Sequence, residues 1–300
     1  MSLKTKDMKA NNPQFPLYIP SKSRADSRLT VKSLEEMNVS FKVVIEEQQY
    51  KEYSDVIDKK KILVLDKKFQ DDYDTCDEYG NTKSKGPGGA RNFIWEHSIS
   101  EGHKWHWVMD DNIASFRRYI NNQRIKCYDG TPFKVMEDFV LRYKNIGMAG
   151  PQYVMFVTNR SADKYPPFTV NTRIYSCNLI RNELPFRWRG RYNEDTDLSL
   201  NILKAGWCTV QFNAFLQEKI STQVIKGGNT EAFYSEEGTL PKSKMQVKLH
   251  PDVSRIAFRF GRWHHYVDYN KFKKENRLLL RDDIKIKQGV NNYGLKLKKY

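Results

Sequence analysis

The sequence predicts an α/β fold in which a mixed, Rossmann-like sheet is flanked by helices, and three observations support this class. Apolar runs of strand length alternate with helix-length amphipathic segments, an order typical of parallel strands joined by right-handed crossovers. The 300 residues are 39% hydrophobic and 29% charged, which is typical of a globular chain with a substantial core. The apolar stretch Trp105–Met109 ends directly in acids, as strands do when their carboxyl ends face a ligand.

The first part of this pattern is a β-α-β-α-β unit. We expect strands at residues 15–20, 41–45 and 62–65, with helices between them at 26–37 and near 48–54. A basic loop follows the first of these strands, and two glutamates follow the second. Because the carboxyl ends of parallel strands meet at one edge of a sheet, these polar side chains are candidates for a ligand site.

A long polar segment, residues 66–87, leads into the next helix and is expected to be a loop. The helix should run from Gly88 to about Ser100, which puts Arg91 in its first turn. A cation in the first turn opposes the helix dipole unless an anion lies nearby. Arg91 therefore predicts an anionic partner at this point of the fold.

The rest of the chain predicts further elements of a mixed sheet. The segment that carries Arg117, Arg118 and Arg124 is expected to be a helix or a loop. After it we expect, in order, a helix at 133–143, strands at 152–157 and 172–180, a helix at 198–205 capped by Gly206, a strand at 209–216 and a flexible loop at 226–230.

Charge divides the chain into a disordered basic tail (1–14), one folded domain (15–270) and a basic C-terminal extension (271–300). The extension holds ten Lys or Arg against three Asp or Glu and predicts a helix-rich segment able to lie along phosphates, or else a solvated terminus. The net charge of +15, with a pI of about 9.5, favours nucleic acid as a partner before anionic membrane. A solvated basic surface on a phosphate-binding enzyme is the alternative.

Cysteine usage and the N-terminus indicate the compartment. Four cysteines lie far apart, without the spacing of a zinc site or the pattern of a disulfide framework. The Lys-rich N-terminus does not resemble a signal peptide, and no apolar run approaches the ~20 residues that cross a bilayer. We therefore expect a cytoplasmic protein without a membrane partner.

Polar clusters fall at three element ends. The loop from Pro20 to Arg24 suits an anion or a nucleotide. Asp110 and Asp111 suit a divalent cation that carries a diphosphate, because hard cations take carboxylate oxygens; a solvated Asx turn is the alternative. The stretch Glu194-Asp195-Thr196-Asp197 puts carboxylates at a helix N-terminus, where one could deprotonate an acceptor hydroxyl, although plain N-capping also explains them.

The order of these motifs resembles that of GT-A-fold glycosyltransferases. In this order the chain carries Pro-Ser-Lys-Ser-Arg, Gly-Gly-Ala-Arg-Asn, Trp-Val-Met-Asp-Asp-Asn-Ile and Asn-Glu-Asp-Thr-Asp-Leu-Ser-Leu, with the acid pair about 18 residues after Gly-Ala-Arg-Asn. More narrowly, the chain resembles the phage TET-associated glycosyltransferases and the related base J glucosyltransferases, which glycosylate 5-hydroxymethylpyrimidines in DNA. The resemblance covers about residues 15–270.

The resemblance implies a site for a UDP-sugar donor. The residues that match the donor-binding region are Pro20, Lys22, Arg24, Glu46, Arg91 and Asp110. Asp111 matches the second acid of the family's Asp-x-Asp motif and implies a Mn²⁺ or Mg²⁺ ion, while Asn112 stands where commoner variants have a last acid.

A late histidine often adds to the metal in GT-A enzymes, so the resemblance implies a role for His264 or His265, with His250 as the rival. The alternative for the pair His264-His265 is aromatic packing with Trp263 and Tyr266.

The resemblance also implies an inverting mechanism on a flipped base. Asp195, or failing that Glu194, would deprotonate the hydroxymethyl oxygen, and the base would leave the duplex stack to reach the pocket. The residues expected near the acceptor and the DNA are Arg187, Trp188, Arg189, Arg191 and Tyr192, with Trp263 as a further stacking candidate.

The sequence leaves several choices open. The sugar is glucose or a pentose such as arabinose, the base is 5-hydroxymethylcytosine or 5-hydroxymethyluracil, and the implied setting is the host cytoplasm of a phage. The alternatives are a GT-A transferase acting on a glycan or protein, a nucleotidyltransferase, and a non-catalytic nucleic-acid-binding protein. The basic charge argues mildly against a glycan or protein acceptor, and the acids at two element ends argue against a binding module.

Overall fold

The structure is a computed structural model that describes residues 12–157, 166–220, 239–259 and 261–285. The expected loop at 226–230, most of the expected N-terminal tail and the chain after residue 285 lie outside the described residues. Within the described ranges, no helix is both long and apolar enough to cross a lipid bilayer.

Strands and α-helices alternate through the described part of the chain. The strands are β1 (Leu17–Pro20), β2 (Lys42–Ile45), β3 (Ile62–Val64), β4 (Trp105–Met109), β5 (Ile113–Ile120), β6 (Gln123–Lys126), β7 (Ile146–Tyr153), β8 (Phe168–Val170), β9 (Cys177–Arg181), β10 (Cys208–Lys219), β11 (Ser254–Arg259) and β12 (Arg262–Val267). The helices are α1 (Leu29–Glu36), α2 (Tyr50–Ser54), α3 (Lys68–Asp71), α4 (Gly88–Ser100), α5 (Thr131–Val140), α6 (Glu194–Lys204), α7 (Leu240–Leu249) and α8 (Asn270–Glu275).

A mixed sheet of ten strands forms the centre of the fold, in the order β3-β2-β1-β4-β9-β7-β10-β5-β6, with β8 paired to the first half of β10. Strands β1 to β4 are mutually parallel, β9 is antiparallel to both β4 and β7, and β10 is parallel to β7. The carboxyl ends of β1, β2, β4, β7 and β10 therefore lie at one edge. The predicted α/β class, with a mixed sheet flanked by helices, is confirmed.

Two hydrophobic cores lie on opposite faces of the sheet, because successive side chains of a strand alternate in direction. Ile19 and Trp107 belong to the core shared with α1 and α5. Their neighbours Tyr18 and Val108 belong to the core shared with α4 and α6. The near-continuous apolar runs of the central strands follow from this burial on both faces.

Helix α6 is covered on two sides, which fixes the position of its N-terminus. Leu198 packs toward the sheet, whereas Leu200 and Leu203 pack against Tyr269 and Phe272 of the C-terminal region. The helix begins at Glu194 rather than at residue 198, so the acids Glu194, Asp195 and Asp197 all lie in its first turn.

The expectation of a helix or loop around Arg117 is wrong, because this segment forms the antiparallel pair β5 and β6. Asn121 and Asn122 have φ of 49° and 62°, the left-handed conformation that a tight hairpin turn requires. The Asn-Asn pair is the sequence signal for this hairpin.

The expected strand at 152–157 is wrong for most of its length. Strand β7 ends at Tyr153 and a 3₁₀ turn, Val154–Phe156, follows it. Two glycines in β7 obscure its strand pattern, yet Gly150 is required there, since a Cβ on it would lie 2.1 Å from the backbone oxygen of Cys177. The strand expected at 172–180 begins only at Cys177.

The C-terminal extension is not helix-rich in its described part. After α8 it runs extended beside the segment between α5 and β7, where the backbone N–H of Lys144 donates to the Leu279 oxygen at 2.7 Å. The N–H of Arg281 donates to the Arg142 oxygen at 2.8 Å. Residues 276–285 are therefore held against the domain by backbone hydrogen bonds.

Candidate active site

A cleft of about 890 Å³ opens at the edge where the carboxyl ends of β1, β2 and β4 meet. It is lined by the predicted donor residues Pro20, Lys22, Arg24, Glu46, Arg91 and Asp110. The predicted metal residues Asp111 and His265, and the predicted catalytic and acceptor residues Glu194, Asp195, Arg191 and Tyr192, line it too. The fold thus brings together side chains that lie up to 245 positions apart in the chain.

Arg91 is the charged centre of this cleft, and its side chain is only 3% exposed. Its Nη2 donates to Asp110 Oδ1 at 2.7 Å, and its Nη1 donates to Glu194 Oε1 at 3.0 Å and Asp195 Oδ1 at 2.8 Å. The guanidinium also lies over the ring of Trp188, 4.6 Å from its centroid. The predicted anionic partner of Arg91 is thus a set of three carboxylates, which raise its pKa although burial alone would lower it.

Two glycines let helix α4 start close enough to present Arg91. A Cβ on Gly88 would lie 2.0 Å from the hydroxyl of Tyr73, and one on Gly89 would lie 2.7 Å from the backbone oxygen of Phe69. The Gly-Gly pair therefore belongs to the tight packing of α4 on α3 and on the segment that follows α3.

Asp110 has a cation on each oxygen. Arg91 holds Oδ1, and Lys219 at the end of β10 donates from Nζ to Oδ2 at 2.5 Å and to Ser176 Oγ at 2.7 Å. Burial favours the neutral acid, but the attraction of Lys219 and Arg91 is stronger and holds the pKa of Asp110 well below its usual range. The sequence reasoning missed Lys219, and no local signal marks it, because the end of β10 reaches Asp110 only through the order of the strands in the sheet.

Asp111 is equally enclosed, on the other side of the same strand end. Its Oδ1 accepts from Arg24 Nη1 at 2.5 Å and its Oδ2 accepts from Ser21 Oγ at 2.8 Å. Ser21 Oγ also lies 2.7 Å from the hydroxyl of Tyr53. Burial raises the pKa of Asp111 despite the opposing attraction of Arg24.

The far end of the cleft is polar and more open. Glu46 accepts from Lys22 Nζ at 2.7 Å and from Gln70 Nε2 at 2.9 Å. Burial works against ionisation of Glu46, but these bonds and the charge of Lys22 lower its pKa. The ion pair of Lys22 with Glu46 thereby joins the loop after β1 to the end of β2.

Asp195 is an acid of the cleft with a pKa close to neutral pH. Burial raises the pKa of Asp195 to about 7, with Glu194 adding to the rise and Arg91 opposing it. Its Oδ1 accepts from Arg91 and, at 3.4 Å, from Asn178 Nδ2. Among the described residues its Oδ2 has no hydrogen-bond partner, so this oxygen is available to a substrate.

Asp197 and His250 form a buried pair outside the cleft. His250 Nε2 lies 2.8 Å from Asp197 Oδ1, and Arg189 Nε donates to Asp197 Oδ2 at 3.0 Å. Asp197 has no exposed side-chain surface. The structure therefore gives His250 and Arg189 partners within the fold, away from the positions expected for a metal ligand and a DNA contact.

The other basic residues expected at the acceptor are also held by the protein. Arg191 is buried and donates to Asp77 Oδ1 at 2.9 Å and Oδ2 at 2.7 Å and to backbone oxygens of residues 80, 83 and 84. Arg187 pairs with Glu96, and Trp188 is buried beneath Arg91. Of the residues predicted at the acceptor, Arg191 and Tyr192 line the cleft, while Trp188 is enclosed by the protein.

The two adjacent histidines separate, as neighbours on a strand must. His265 lines the cleft, its Nδ1 is buried without a hydrogen-bond partner in the described part of the chain, and burial lowers its pKa to about 4. His264 lies on the opposite face of β12, where its Nε2 accepts from Arg262 Nε at 3.3 Å.

The family model of the TET-associated glycosyltransferases matches residues 15–228 of the chain. The chain belongs to the TET-associated glycosyltransferase family. Curated proteins give no match. As a TET-associated glycosyltransferase with a GT-A-like mixed sheet, the protein is an enzyme that uses a nucleotide sugar, and the cleft at the carboxyl edge of the sheet has the dimensions and charge for one.

The donor set of this TET-associated glycosyltransferase does not fit a divalent cation. In the described ranges, no three His, Cys, Asp or Glu side chains converge on a possible metal position. Both oxygens of Asp110 and both of Asp111 already accept from cationic or hydroxyl donors. A Mg²⁺ ion needs near-octahedral oxygen ligands, so Lys219 or Arg24 would first have to leave its carboxylate.

Proposed function

We propose that the protein transfers a sugar from a UDP-sugar to the hydroxymethyl group of 5-hydroxymethylcytosine or 5-hydroxymethyluracil in DNA. The observation that carries this proposal is Asp195, a partly buried acid with a raised pKa and one unengaged oxygen, beside Arg91 in a cleft sized for a nucleotide sugar. The family match supports the transferase class and the modified-base acceptor.

The donor lies in the cleft with its uridine toward Pro20 and Glu46. The loop after β1 supplies Lys22 and Arg24 near the nucleotide, and Lys219 and Arg91 face the position of the diphosphate. All four cations are ion-paired, and Arg24 and Arg91 are also buried, so they are pre-positioned, and their charge can stabilise a leaving diphosphate without large reorganisation.

The transfer is a single displacement. Oδ2 of Asp195 takes the proton of the hydroxymethyl group, the oxygen forms a bond to the anomeric carbon, and the bond from that carbon to the diphosphate oxygen breaks. The leaving UDP keeps the electron pair of the broken bond. This attack inverts the anomeric centre, and Glu194 is the substitute base because it shares the same Arg91 nitrogen.

The family resemblance implies a metal ion, but no step of this proposal uses one. The expected Mn²⁺ or Mg²⁺ ion at Asp111, with His264 or His265 as a further ligand, would compete with Arg24 and Ser21 for the same oxygens. In this proposal the positive charges of Lys219, Arg24 and Arg91 stabilise the negative charge of the leaving UDP instead.

The catalytic unit that we propose extends from residue 15 to about 270, beyond the family match. Lys242 of α7 and His265 of β12 line the cleft, and Tyr269 packs against α6. The four free cysteines fit the proposed setting, the reducing cytoplasm of a phage-infected cell.

The test is transfer measured by mass spectrometry. Purified protein is offered UDP-glucose or a UDP-pentose with DNA that contains 5-hydroxymethylcytosine, 5-hydroxymethyluracil or only plain bases, with EDTA or with Mn²⁺. A hexose or pentose mass added to the modified base alone supports the proposal, and activity in EDTA supports the proposed role of the cations. Hydrolysis of the donor without a DNA product would refute the acceptor and favour a glycan or protein.

A matched pair of variants separates the proposed base from a general loss of charge. Asp195→Asn should lose transfer, whereas Asp55→Asn, which changes an exposed acid after α2 that does not line the cleft, should not. Equal activity of the two variants would refute Asp195 as the base.

A further inference from the structure

The hairpin β11–β12 lies beyond the residues that the family model matches, and its outer part carries large exposed side chains. Phe258 is 60% exposed, and Trp263 and Tyr266 are each 41% exposed. Phe258 and Trp263 pair across the two strands, with their ring centroids 5.1 Å apart in an edge-to-face arrangement. Large exposed aromatic side chains that cluster at one place mark interaction surfaces.

The two faces of this hairpin differ in character. Cross-strand partners share a face, so Phe258 and Trp263 lie on the same face as Ile256 and His265. The opposite face carries Arg255, Arg259, Arg262, His264 and Tyr266. Arg255 lies 4.7 Å from the centroid of the Tyr266 ring. One face is therefore apolar at the tip, and the other is basic.

The basic face is not neutralised by the protein. Arg255, Arg259 and Arg262 are exposed, and among the residues that the structure describes none of the three pairs with a carboxylate. The hairpin sequence from Ser254 to Val267 contains no acid. Its charge complements a polyanion rather than the surface of an average protein.

The apolar face is continuous with the wall of the catalytic cleft. His265, on this face, lines the cleft, and the aromatic pair lies further out along the same strands, two residues from His265 toward the turn. Helix α7 packs against β12 and contributes Lys242 to the cleft wall. A nucleic acid that delivers a base into the cleft would therefore pass the hairpin.

We propose that the hairpin β11–β12 is the DNA-binding element of this enzyme. In this proposal the Phe258–Trp263 pair contacts the bases next to the nucleotide that enters the cleft, and Arg259 and Arg262 contact the phosphates beside it. Aromatic side chains stack on exposed bases or fill the gap that a displaced base leaves, while arginines track the backbone. The proposal rests on the proposed function, because DNA is the acceptor there.

The test measures the affinity of the full chain for a fluorescent duplex that contains one 5-hydroxymethylcytosine, by anisotropy over a range of salt concentrations. If each arginine contacts one phosphate, the double variant R259A/R262A should reduce the slope of log K against log salt by about 1.8. The control K59A/K60A removes the same charge from exposed lysines directly before β3, an edge strand of the ten-stranded sheet, and should leave that slope unchanged.

A second double variant tests the aromatic pair without changing charge. F258A/W263A should weaken binding about tenfold or more, and W263F with Phe258 intact should restore most of it. Because all these side chains are exposed, the folded state and hydrolysis of a UDP-sugar without DNA should be unaffected in each variant.

The outcomes separate this proposal from the proposed function. If the wild type binds and glycosylates the duplex but R259A/R262A and F258A/W263A bind it as tightly, the hairpin proposal is wrong and the function stands. If the wild type neither binds nor modifies DNA, the proposed function itself fails. Loss of binding to vesicles of anionic lipid, with DNA binding unchanged, would overturn the proposal in favour of a membrane surface.

Discussion

The pair Glu194 and Asp195 allows a quantitative test of which acid is the base. We consider two changes, Asp195→Asn and Glu194→Gln, each of which removes one negative charge and keeps the shape of the side chain. If Asp195 is the base, its replacement removes the group that accepts the proton, and kcat should fall by about 10² to 10⁴. Glu194→Gln should preserve transfer but move its pH dependence.

The size of this movement follows from the geometry. Both acids accept from the same nitrogen of Arg91, Asp195 at 2.8 Å and Glu194 at 3.0 Å. Their oxygens therefore lie within about 6 Å of each other, where two charges in an effective dielectric of about 20 repel by about 3 kcal/mol. Because Arg91 lies between them and offsets part of this repulsion, we expect the pKa of Asp195 to fall by about 1 to 2 on removal of Glu194.

The assay is kcat/KM for sugar transfer between pH 5 and 9, which reports the ionisation of the free enzyme. In the wild type the rate should rise with pH through the pKa of Asp195, about 7, because only the carboxylate accepts a proton. In Glu194→Gln this rise should occur at about pH 5 to 6. A Glu194→Gln enzyme that is inactive, beside an active Asp195→Asn enzyme, would refute the assignment and make Glu194 the base.

Three further changes test other parts of the structure. Lys219→Met should lower kcat at least about tenfold in transfer assays, because Asp110 and the leaving group lose a neighbouring cation. Lys219→Arg should retain more activity, and equal rates of the two variants would remove Lys219 from the mechanism. Gly89→Ala should cost about 1 to 3 kcal/mol in denaturant unfolding, since its Cβ would meet the Phe69 oxygen; unchanged stability would contradict the close approach. Burial raises the pKa of Glu137 in α5 from 4.5 to about 7, so its contribution to stability is full below about pH 4.5 and is lost as the pH rises through about 7. The Tm of the wild type should therefore fall between pH 5 and 8, and the Tm of Glu137→Gln should fall less. Equal falls in the two proteins would exclude Glu137 as the cause.

The parallel half of the fold was predictable because its elements carry local signals. Strand β2 ends in three apolar residues, Val43 to Ile45, that two acids follow, and α4 begins with two glycines. The meeting of Pro20, Glu46 and Asp110 at one cleft was also predictable, because a parallel sheet forces the ends of β1, β2 and β4 to one edge. Arg91 could be assigned an anionic partner from its place in a first turn alone.

The antiparallel half was less predictable, because its strands are specified by tertiary packing. Strand β7 contains Gly147 and Gly150, which lower its strand propensity but let it approach β9 and α6 closely. Lys219 could not be assigned without the sheet order, since nothing local connects the end of β10 with Asp110. Pairing of strands distant in sequence decides such contacts.

Exposure was the property that the sequence specified least well. Trp188 and Arg191 alternate with other basic residues in a way that resembles a nucleic-acid surface, yet both are almost fully buried. A guanidinium with a bidentate carboxylate and several backbone oxygens, as in Arg191, can be enclosed at low cost, because its donors are satisfied. Composition records the charge of such a side chain, whereas only the contacts show where that charge is directed.

The contacts of the cleft explain why two of its acids differ in protonation. Asp110 has a cation on each oxygen, Arg91 on one and Lys219 on the other, and these charges hold it ionised. Asp195 shares a single nitrogen of Arg91 with Glu194, and burial raises its pKa to about 7. A carboxyl group with this pKa is ionised in about half of the molecules at neutral pH and, as the carboxylate, accepts a proton more readily than an acid of ordinary pKa. The uneven sharing of cations thus makes Asp195, and not Asp110, the suitable base.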